Sequence, residues 1–203
     1  MASNFIKYTP HGYAESTLIK ATKVGHHYNL VNKDYDIDNG FVATIGEYMQ
    51  EDGQNVEDLF EAKAPSLGDK IVLILTAPKI YEEYQKLMQE EIYFYNGKGE
   101  AMRAYEIQDT DRFVLSDQCF YEDAVPEIGE YVGISGDSSK ADRGFALTTL
   151  GKTLPTDAKT RGFIGKIIKQ PKNTGKYTYV NDDGELVPIS LYTIKVIKNE
   201  QVW

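Results

Sequence analysis

The 203-residue chain has very little cysteine and histidine, the residues that most often build metal and nucleophile sites. It contains one cysteine, Cys119, and three histidines, His11, His26 and His27. A single cysteine excludes an intrachain disulfide framework and a zinc site built from several cysteines. No sequence around Cys119 is of the kind that lowers a thiol pKa, so we predict a buried, inert thiol. Adjacent histidines on a strand point to opposite faces, which predicts no shared metal site.

The sequence also lacks any hydrophobic segment near the roughly 20 residues that a membrane-spanning helix needs. Residues 1–5 have neither the charged flank nor the apolar run of a signal peptide. We therefore expect a protein made in a cytoplasm, with no membrane partner. The net charge of −9 argues against a nucleic-acid partner, because phosphate binding depends on lysine and arginine releasing counterions.

Catalytic and phosphate-binding motifs are missing as well. The chain has no Gly-x-Ser-x-Gly sequence, and Gly151-Lys152-Thr153 matches only the last three positions of a phosphate-binding loop. Ala146 stands where that loop needs its first glycine. We therefore predict no catalytic residues and no cofactor, as expected for a protein that is not an enzyme.

One acidic segment comes near a calcium loop. Asp34, Asp36 and Asp38 alternate before Asn39-Gly40. In an EF-hand loop the glycine is sixth and the twelfth residue is a bidentate carboxylate, whereas here the glycine is seventh and the twelfth residue is Ile45. The pattern favours an Asx-rich turn that leads into a strand. It predicts no metal site and leaves calcium binding by the three aspartates open.

What the sequence does contain is tyrosine, with 15 Tyr beside 8 Phe and 1 Trp. Tyrosine favours strands and interfaces. Short runs of β-branched and aromatic residues, separated by turn residues, predict strands at 16–24, 41–45, 70–76, 101–107, 113–115, 131–134, 163–169, 177–180, 186–189 and 191–197. The runs 177–180 and 186–189 predict a hairpin with Pro188 at an edge or at a bulge. This spacing is typical of a mainly β fold, an antiparallel sandwich or barrel.

Three other segments complete the expected organisation. Residues 79–91 carry an apolar stripe at helical spacing after Pro78, which predicts one short helix. Residues 1–33 predict an extended N-terminal arm and a first strand, with four lysines against one glutamate. Residues 34–203 form the β-rich body. The polar segment 136–162 predicts a long exposed loop, and a division into two subdomains near it stays open.

A short motif occurs twice in the chain. Pro65-x-Leu67-Gly68-Asp69 is repeated 61 residues later as Pro126-x-Ile128-Gly129-Glu130, and a strand-like run follows each copy. Proline and glycine build a turn, and the acidic residue stays in solvent. The pattern favours two similar turns of a β protein over a tandem origin, so it predicts no domain boundary.

The order of several weak motifs between residues 34 and 135 resembles that of a known family. The motifs are Asp38-Asn39-Gly40, Ala64-Pro65-x-x-Gly68-Asp69, Pro78-x-x-Tyr81-Glu82-Glu83, Asn96-x-x-Gly99-Glu100-x-x-Arg103-x-Tyr105, Asp111-x-Phe113-x-Leu115 and Val125-Pro126-x-x-Gly129-x-x-Val132. They are similar to those of small proteins that accompany the major capsid protein in tailed bacteriophages, the head decoration or auxiliary capsid proteins.

The resemblance implies a structural virion protein on the capsid exterior, bound to the major capsid protein and self-associated on the shell. The aromatic and aliphatic residues of the arm, Phe5, Ile6 and Tyr8, are then expected to contact a neighbouring subunit. The alternative is a carbohydrate-binding or receptor-binding β-module of a phage tail or another surface assembly. Its mark would be exposed aromatic rings that stack on sugars, and Tyr93-Phe94-Tyr95 is the candidate.

Overall fold

The structure is a computed structural model that describes residues 10–21, 26–51, 53–78, 90–121, 125–135, 144–170, 177–180 and 184–203. Fifteen strands lie in this part of the chain. They are Ala14–Leu18 (β1), His27–Val31 (β2), Ile37–Asp38 (β3), Val42–Glu51 (β4), Gln54–Lys63 (β5), Val72–Ile74 (β6), Tyr95–Asn96 (β7), Ala101–Glu106 (β8), Arg112–Ser116 (β9), Tyr131–Ile134 (β10), Leu147–Gly151 (β11), Phe163–Lys169 (β12), Thr178–Val180 (β13), Leu186–Pro188 (β14) and Leu191–Asn199 (β15).

Five strands close into a barrel in the order β2-β5-β4-β6-β8. The β2·β5 pair is parallel and the other pairs are antiparallel. Alternate residues of these strands point inward, so the interior is a cluster of aliphatic side chains that includes Leu30, Ala43 and Met102. Closure pairs every barrel strand on both sides, which leaves this part of the fold without a free edge.

Six strands form an antiparallel sheet in the order β1-β9-β15-β12-β10-β11. Its centre is β15, where Tyr192, Ile194 and Val196 are buried and alternate with more exposed residues. This alternation is the pattern of a sheet with one face on a core and the other toward solvent. Two further pairs, β3·β7 and β13·β14, are separate two-stranded sheets.

A second apolar cluster contains side chains of both the barrel and the sheet. Leu73 of β6 belongs to the same buried cluster as Phe113 of β9 and Ile194 of β15. Asn199, at the end of β15, joins the two parts by hydrogen bonds. Its side chain accepts from the Ile71 backbone N–H at 2.9 Å and donates to the carbonyls of Ile71 and Ile107.

The mainly β fold class is confirmed, and several predicted elements lie where the sequence placed them. Strands 131–134 and 163–169 match β10 and β12, and β13 and β14 pair as the predicted hairpin, with Pro188 on its edge. Residues 1–9 of the predicted arm lie outside the described residues, and so does the predicted helix except for Glu90 and Glu91 at a turn. None of the helices in the described part of the chain is long and apolar enough to cross a bilayer.

The long exposed loop predicted over 136–162 is wrong for part of its length. Residues 136–143 lie outside the described part, but Phe145, Ala146 and Leu147 are buried and lead into β11. Pairing with β10 and packing into the core turn this polar-looking segment into a strand. The subdomain division near it stays a prediction.

The two copies of the repeated motif fold into turns with the same hydrogen bonds. The Asp69 N–H donates to the Ser66 carbonyl, and the Asp69 carboxylate accepts from the Ser66 N–H at 2.7 Å. Glu130 makes the same two bonds to Glu127. Their glycines differ, because Gly129 has a φ of +91° whereas Gly68 is not in the left-handed region. The repeat is therefore a shared turn chemistry placed before strands in two different sheets.

Candidate functional site

Residues 10–13, the first described residues of the chain, are held in place by contacts with the rest of the fold. Asp38 in β3 supplies two of these contacts, since its two carboxylate oxygens lie 2.8 Å from His11 Nδ1 and 2.8 Å from the Gly12 N–H. The neighbouring backbone is packed tightly, because a Cβ on Gly12 would lie 2.4 Å from the Asn39 carbonyl oxygen. We name residues 10–13 the arm root.

Tyr13 anchors the arm root to the six-stranded sheet. Its N–H donates to Ser116 Oγ at 3.0 Å, and its buried ring lies 4.8 Å from the ring of Tyr177. The hydroxyl donates to Glu15 at 2.8 Å, while the Tyr177 hydroxyl donates to Glu91. Burial, followed by the hydrogen bonds with Tyr177 and Glu15, raises the pKa of Tyr13 far above its ordinary value. The phenol therefore stays neutral and serves as a structural anchor.

The aromatic triplet at 93–95 lies directly beside the arm root. Phe94 is 1% exposed and belongs to the interior, whereas Tyr93 and Tyr95 are partly exposed. The ring of His11 lies 4.8 Å from the ring of Tyr95, and the His11 backbone N–H donates to the Ile92 carbonyl. Two segments that the sequence singled out separately, the arm and the triplet, thus join the body at one place. In this fold the Phe94 ring is not available to a partner, and contacts by Phe5, Ile6 and Tyr8 stay predictions because these residues lie outside the described part.

The three aspartates of the calcium-like segment bond to separate parts of the molecule. Asp34 lies in a turn where its N–H donates to Asn32 Oδ1, and Asp36 accepts from the Lys98 N–H at 2.8 Å. Asp38 holds the arm root. Within the described residues no group of three or more His, Cys, Asp or Glu side chains could hold a metal ion. The predicted Asn39-Gly40 turn is confirmed, with Gly40 at a φ of +85°.

Two residues of the motifs that resemble phage head proteins, Asn39 and Asn96, make the hydrogen bonds around this turn. Asn39 exchanges two hydrogen bonds of 2.9 Å with the backbone of Thr76, and Asn96 donates to the Ile37 carbonyl at 2.8 Å and to Asn39 at 3.3 Å. All of these asparagine contacts are buried or nearly so. These positions therefore specify the fold, and they supply no ligand-binding group.

Cys119 is fully buried beneath the same turn, as predicted. Its thiol donates to the carbonyls of Tyr13 and Asn39 at 3.5 and 3.4 Å. Burial raises the pKa of this thiol to about 12, so it is protonated and unreactive at neutral pH. A Cβ on Gly40 would lie 2.4 Å from its sulfur. The cysteine is a packing element.

Several segments that carry exposed apolar side chains meet at one end of the six-stranded sheet, and the sequence did not predict this feature. Pairs of residues trace this end across the sheet: Gly151 with Tyr131, Tyr131 with Lys166, Lys169 with Thr193, Leu191 with Ser116, and Leu115 with Ala14. The turn at 125–130 abuts it, because the Gly129 N–H donates to the Ile167 carbonyl. We name this region, together with the arm root and the β13–β14 hairpin, the sheet end.

The segments that meet at the sheet end expose six large aliphatic residues, namely Val125, Ile128, Leu154, Ile168, Val180 and Leu186. Val125 and Leu186 are the most exposed, at 80% and 72%. An ion pair of 2.6 Å between Lys152 and Glu127 lies among them. Exposed apolar residues on segments that meet at one end of a sheet are candidates for an interaction surface, since contiguous apolar patches mark such surfaces. In the sequence, the one indication of these exposed residues was the turn composition at 125–128.

Comparison of the chain with protein-family models, with curated proteins and with solved structures gives no match in any of the three.

Proposed function

We propose that this protein is a structural virion component that decorates or cements a tailed-phage capsid by binding the major capsid protein. It acts by binding and not by catalysis, and it is located on the capsid exterior after synthesis in the host cytoplasm. The observation that carries the proposal is the sheet end, where the arm root, which contacts Tyr95, and the segments that carry the exposed aliphatic residues meet at one end of the six-stranded sheet.

The composition of the sheet end supports docking onto a large protein lattice. Interface cores are enriched in aromatic and aliphatic residues and depleted in charge. A shell offers many copies of one site, so modest contacts by each subunit and by its neighbours add up through avidity. The net charge of −9 suits the outer face of a shell better than its DNA-filled interior.

The motif resemblance supports the same function, because some of the motif residues determine the local structure of the proposed contact surface. Asp38, Asn39 and Asn96, which carry part of the resemblance, hold the arm root and the 93–96 segment in place. A family that shared these residues would therefore share the geometry of this side of the molecule. The resemblance and the sheet end thus point to the same surface.

The test is binding of the purified protein to phage capsids that lack it, followed by sedimentation with the particles. We expect Leu186→Asp together with Val125→Asp to weaken capsid binding by more than about tenfold, because a charge would be buried in the contact. Deletion of residues 1–9 should weaken binding as well. This deletion keeps His11 and Gly12, so Asp38 retains its partners.

The matched control is Ile197→Asp. Ile197 is also an exposed aliphatic residue of the six-stranded sheet, but it lies near the opposite end of β15. It should bind capsids like the wild type, and all variants should keep the wild-type circular-dichroism spectrum. Wild-type protein that does not sediment with capsids, or sheet-end variants that bind as well as Ile197→Asp, would refute the proposal.

A further inference from the structure

A second surface lies at the open end of the barrel that adjoins the C-terminal end of β15. A cleft of about 190 Å³ is lined there by apolar residues of three barrel strands, Tyr28, Ile45 and Val72, and by the polar residues Lys70, Glu106 and Gln201. We name this cleft the barrel mouth. The sheet end begins at the other end of β15, nine residues or about 30 Å away.

Three aromatic rings form a continuous row from the barrel mouth outward. Tyr28 meets Phe60 edge to face, with ring centroids 6.1 Å apart, and Phe60 lies against Tyr48 at 4.4 Å. Phe60 and Tyr48 are cross-strand partners on β5 and β4, which fixes their spacing. Tyr28 is the ring of this row that lines the cleft, and it is partly exposed, whereas Tyr48 lies two rings away.

The polar side of the barrel mouth presents both hydrogen-bond donors and acceptors in fixed positions. Lys70 and Glu106 form an ion pair, and His26 Nδ1 lies 4.0 Å from the second Glu106 oxygen. Gln201 accepts from the Lys70 N–H at 3.1 Å and donates to Asp69 at 3.0 Å. The side chain of Glu106 is mostly buried, whereas that of Lys70 is more exposed.

These features select one class of ligand. Lys70 and Glu106 neutralise each other, so an ion of either sign gains little net attraction. The cleft is smaller than the roughly 300 Å³ of the smallest common drug-sized pockets, so it fits a single ring. A sugar ring has an apolar C–H face that packs on an aromatic ring and hydroxyls that both donate and accept.

We propose that the barrel mouth binds one ring of a neutral saccharide, with the C–H face against Tyr28 and hydroxyl groups on Lys70 and Glu106. The site differs from the Tyr93-Phe94-Tyr95 triplet that the sequence suggested for sugars. It goes beyond capsid decoration, because the opposite ends of β15 allow a capsid and a surface glycan to be bound at the same time.

Saturation-transfer-difference NMR tests this with glucose, galactose and N-acetylglucosamine, each at about 10 mM, a concentration suited to millimolar affinity. We expect transfer to the ring protons of at least one sugar. Tyr28→Ala and Glu106→Gln should weaken binding by about tenfold or more, and Tyr28→Phe, which keeps the ring, should bind like the wild type.

The control is Tyr35→Ala, since Tyr35 is a tyrosine that does not line the barrel mouth. It should leave saccharide binding unchanged, and Tyr28→Ala should leave capsid sedimentation unchanged, which separates this proposal from the capsid proposal. No transfer to any of the three sugars with the wild type, or equal losses in Tyr35→Ala and Tyr28→Ala, would overturn the saccharide site.

Discussion

At the scale of single residues, a few short polar side chains hold segments that are far apart in sequence. Asp38 joins β3 to the arm root, Asn39 and Asn96 join β3 to β7 and Thr76, and Asn199 joins β15 to the barrel. Each of them satisfies backbone groups that would otherwise be buried without a partner, which is costly. Positions of this kind determine where the proposed contact surface lies.

Asp38→Ala tests this at the arm root. The substitution removes the acceptors of His11 Nδ1 and of the Gly12 N–H, both at 2.8 Å. We expect a loss of about 2–3 kcal/mol in the free energy of unfolding, because two partly buried donors lose a charged acceptor. Urea denaturation followed by circular dichroism measures the change. Capsid binding should weaken too, since the arm root loses its attachment.

Asp36→Ala provides the comparison. Asp36 is an aspartate of the same segment, and it accepts one exposed hydrogen bond from the Lys98 N–H. We expect it to cost about 1 kcal/mol or less. An equal loss of stability in the two variants would mean that the Asp38 contacts do not anchor the arm root.

At the scale of elements, the two repeated turns make the same hydrogen bonds but differ in how many further contacts hold them in place. In both, a carboxylate accepts the N–H of the residue three positions earlier. Asp69 also accepts from Gln201 at 3.0 Å, and its turn packs on Gly162, where an added Cβ would lie 2.1 Å from the Asp69 carbonyl oxygen. Glu130 has less surrounding structure, because Gly129 has open space around it.

We therefore expect Asp69→Ala to destabilise the protein more than Glu130→Ala. The first variant loses acceptors for Ser66 and Gln201, and the second loses one exposed bond to the Glu127 N–H. From the number of hydrogen bonds lost, we expect the free energy of unfolding to fall by about 2 kcal/mol in Asp69→Ala and by about 0.5–1 kcal/mol in Glu130→Ala. Urea midpoints of the two variants, measured side by side, check the order. A larger loss in Glu130→Ala would show that the shared turn chemistry does not explain their stability.

The sequence predicted those strands whose own composition favours a strand, and it missed a strand that only its pairing with neighbours specifies. Strands with dense β-branched and aromatic residues, such as β10 and β12, were predicted with their observed bounds. Strand β5 was missed because Glu57, Asp58 and Glu61 give it the composition of a loop, and only its pairing with β4 and β2 makes it a strand.

The candidate sites show the same limit. Aromatic content singled out the segment 93–95, and the structure shows the Tyr95 ring against His11 of the arm root, a contact that the sequence did not predict. The sheet end and the barrel mouth each combine segments that are distant in sequence, and long-range strand register decides which side chains meet. Such sites are not visible as motifs.

At the scale of the whole molecule, the shared apolar cluster indicates that the barrel and the sheet unfold as one unit. The buried cluster that contains Leu73 and Ile194 crosses between them. Asn199 adds three side-chain hydrogen bonds to backbone groups of Ile71 and Ile107 at the same junction. Separate units would require a junction with few buried contacts.

Asn199→Ala tests this cooperativity. Removing the amide leaves three buried backbone groups of Ile71 and Ile107 without their partners, so we expect a loss of about 3–5 kcal/mol in the free energy of unfolding. In a single cooperative unit, hydrogen exchange followed by mass spectrometry should show equal losses of protection in β4 of the barrel and in β12 of the sheet. Asn55→Ala, at an exposed asparagine of β5, should change neither. If protection fell in only one of the two strands, the barrel and the sheet would be separate folding units, and an independent subdomain boundary would have to be sought between them.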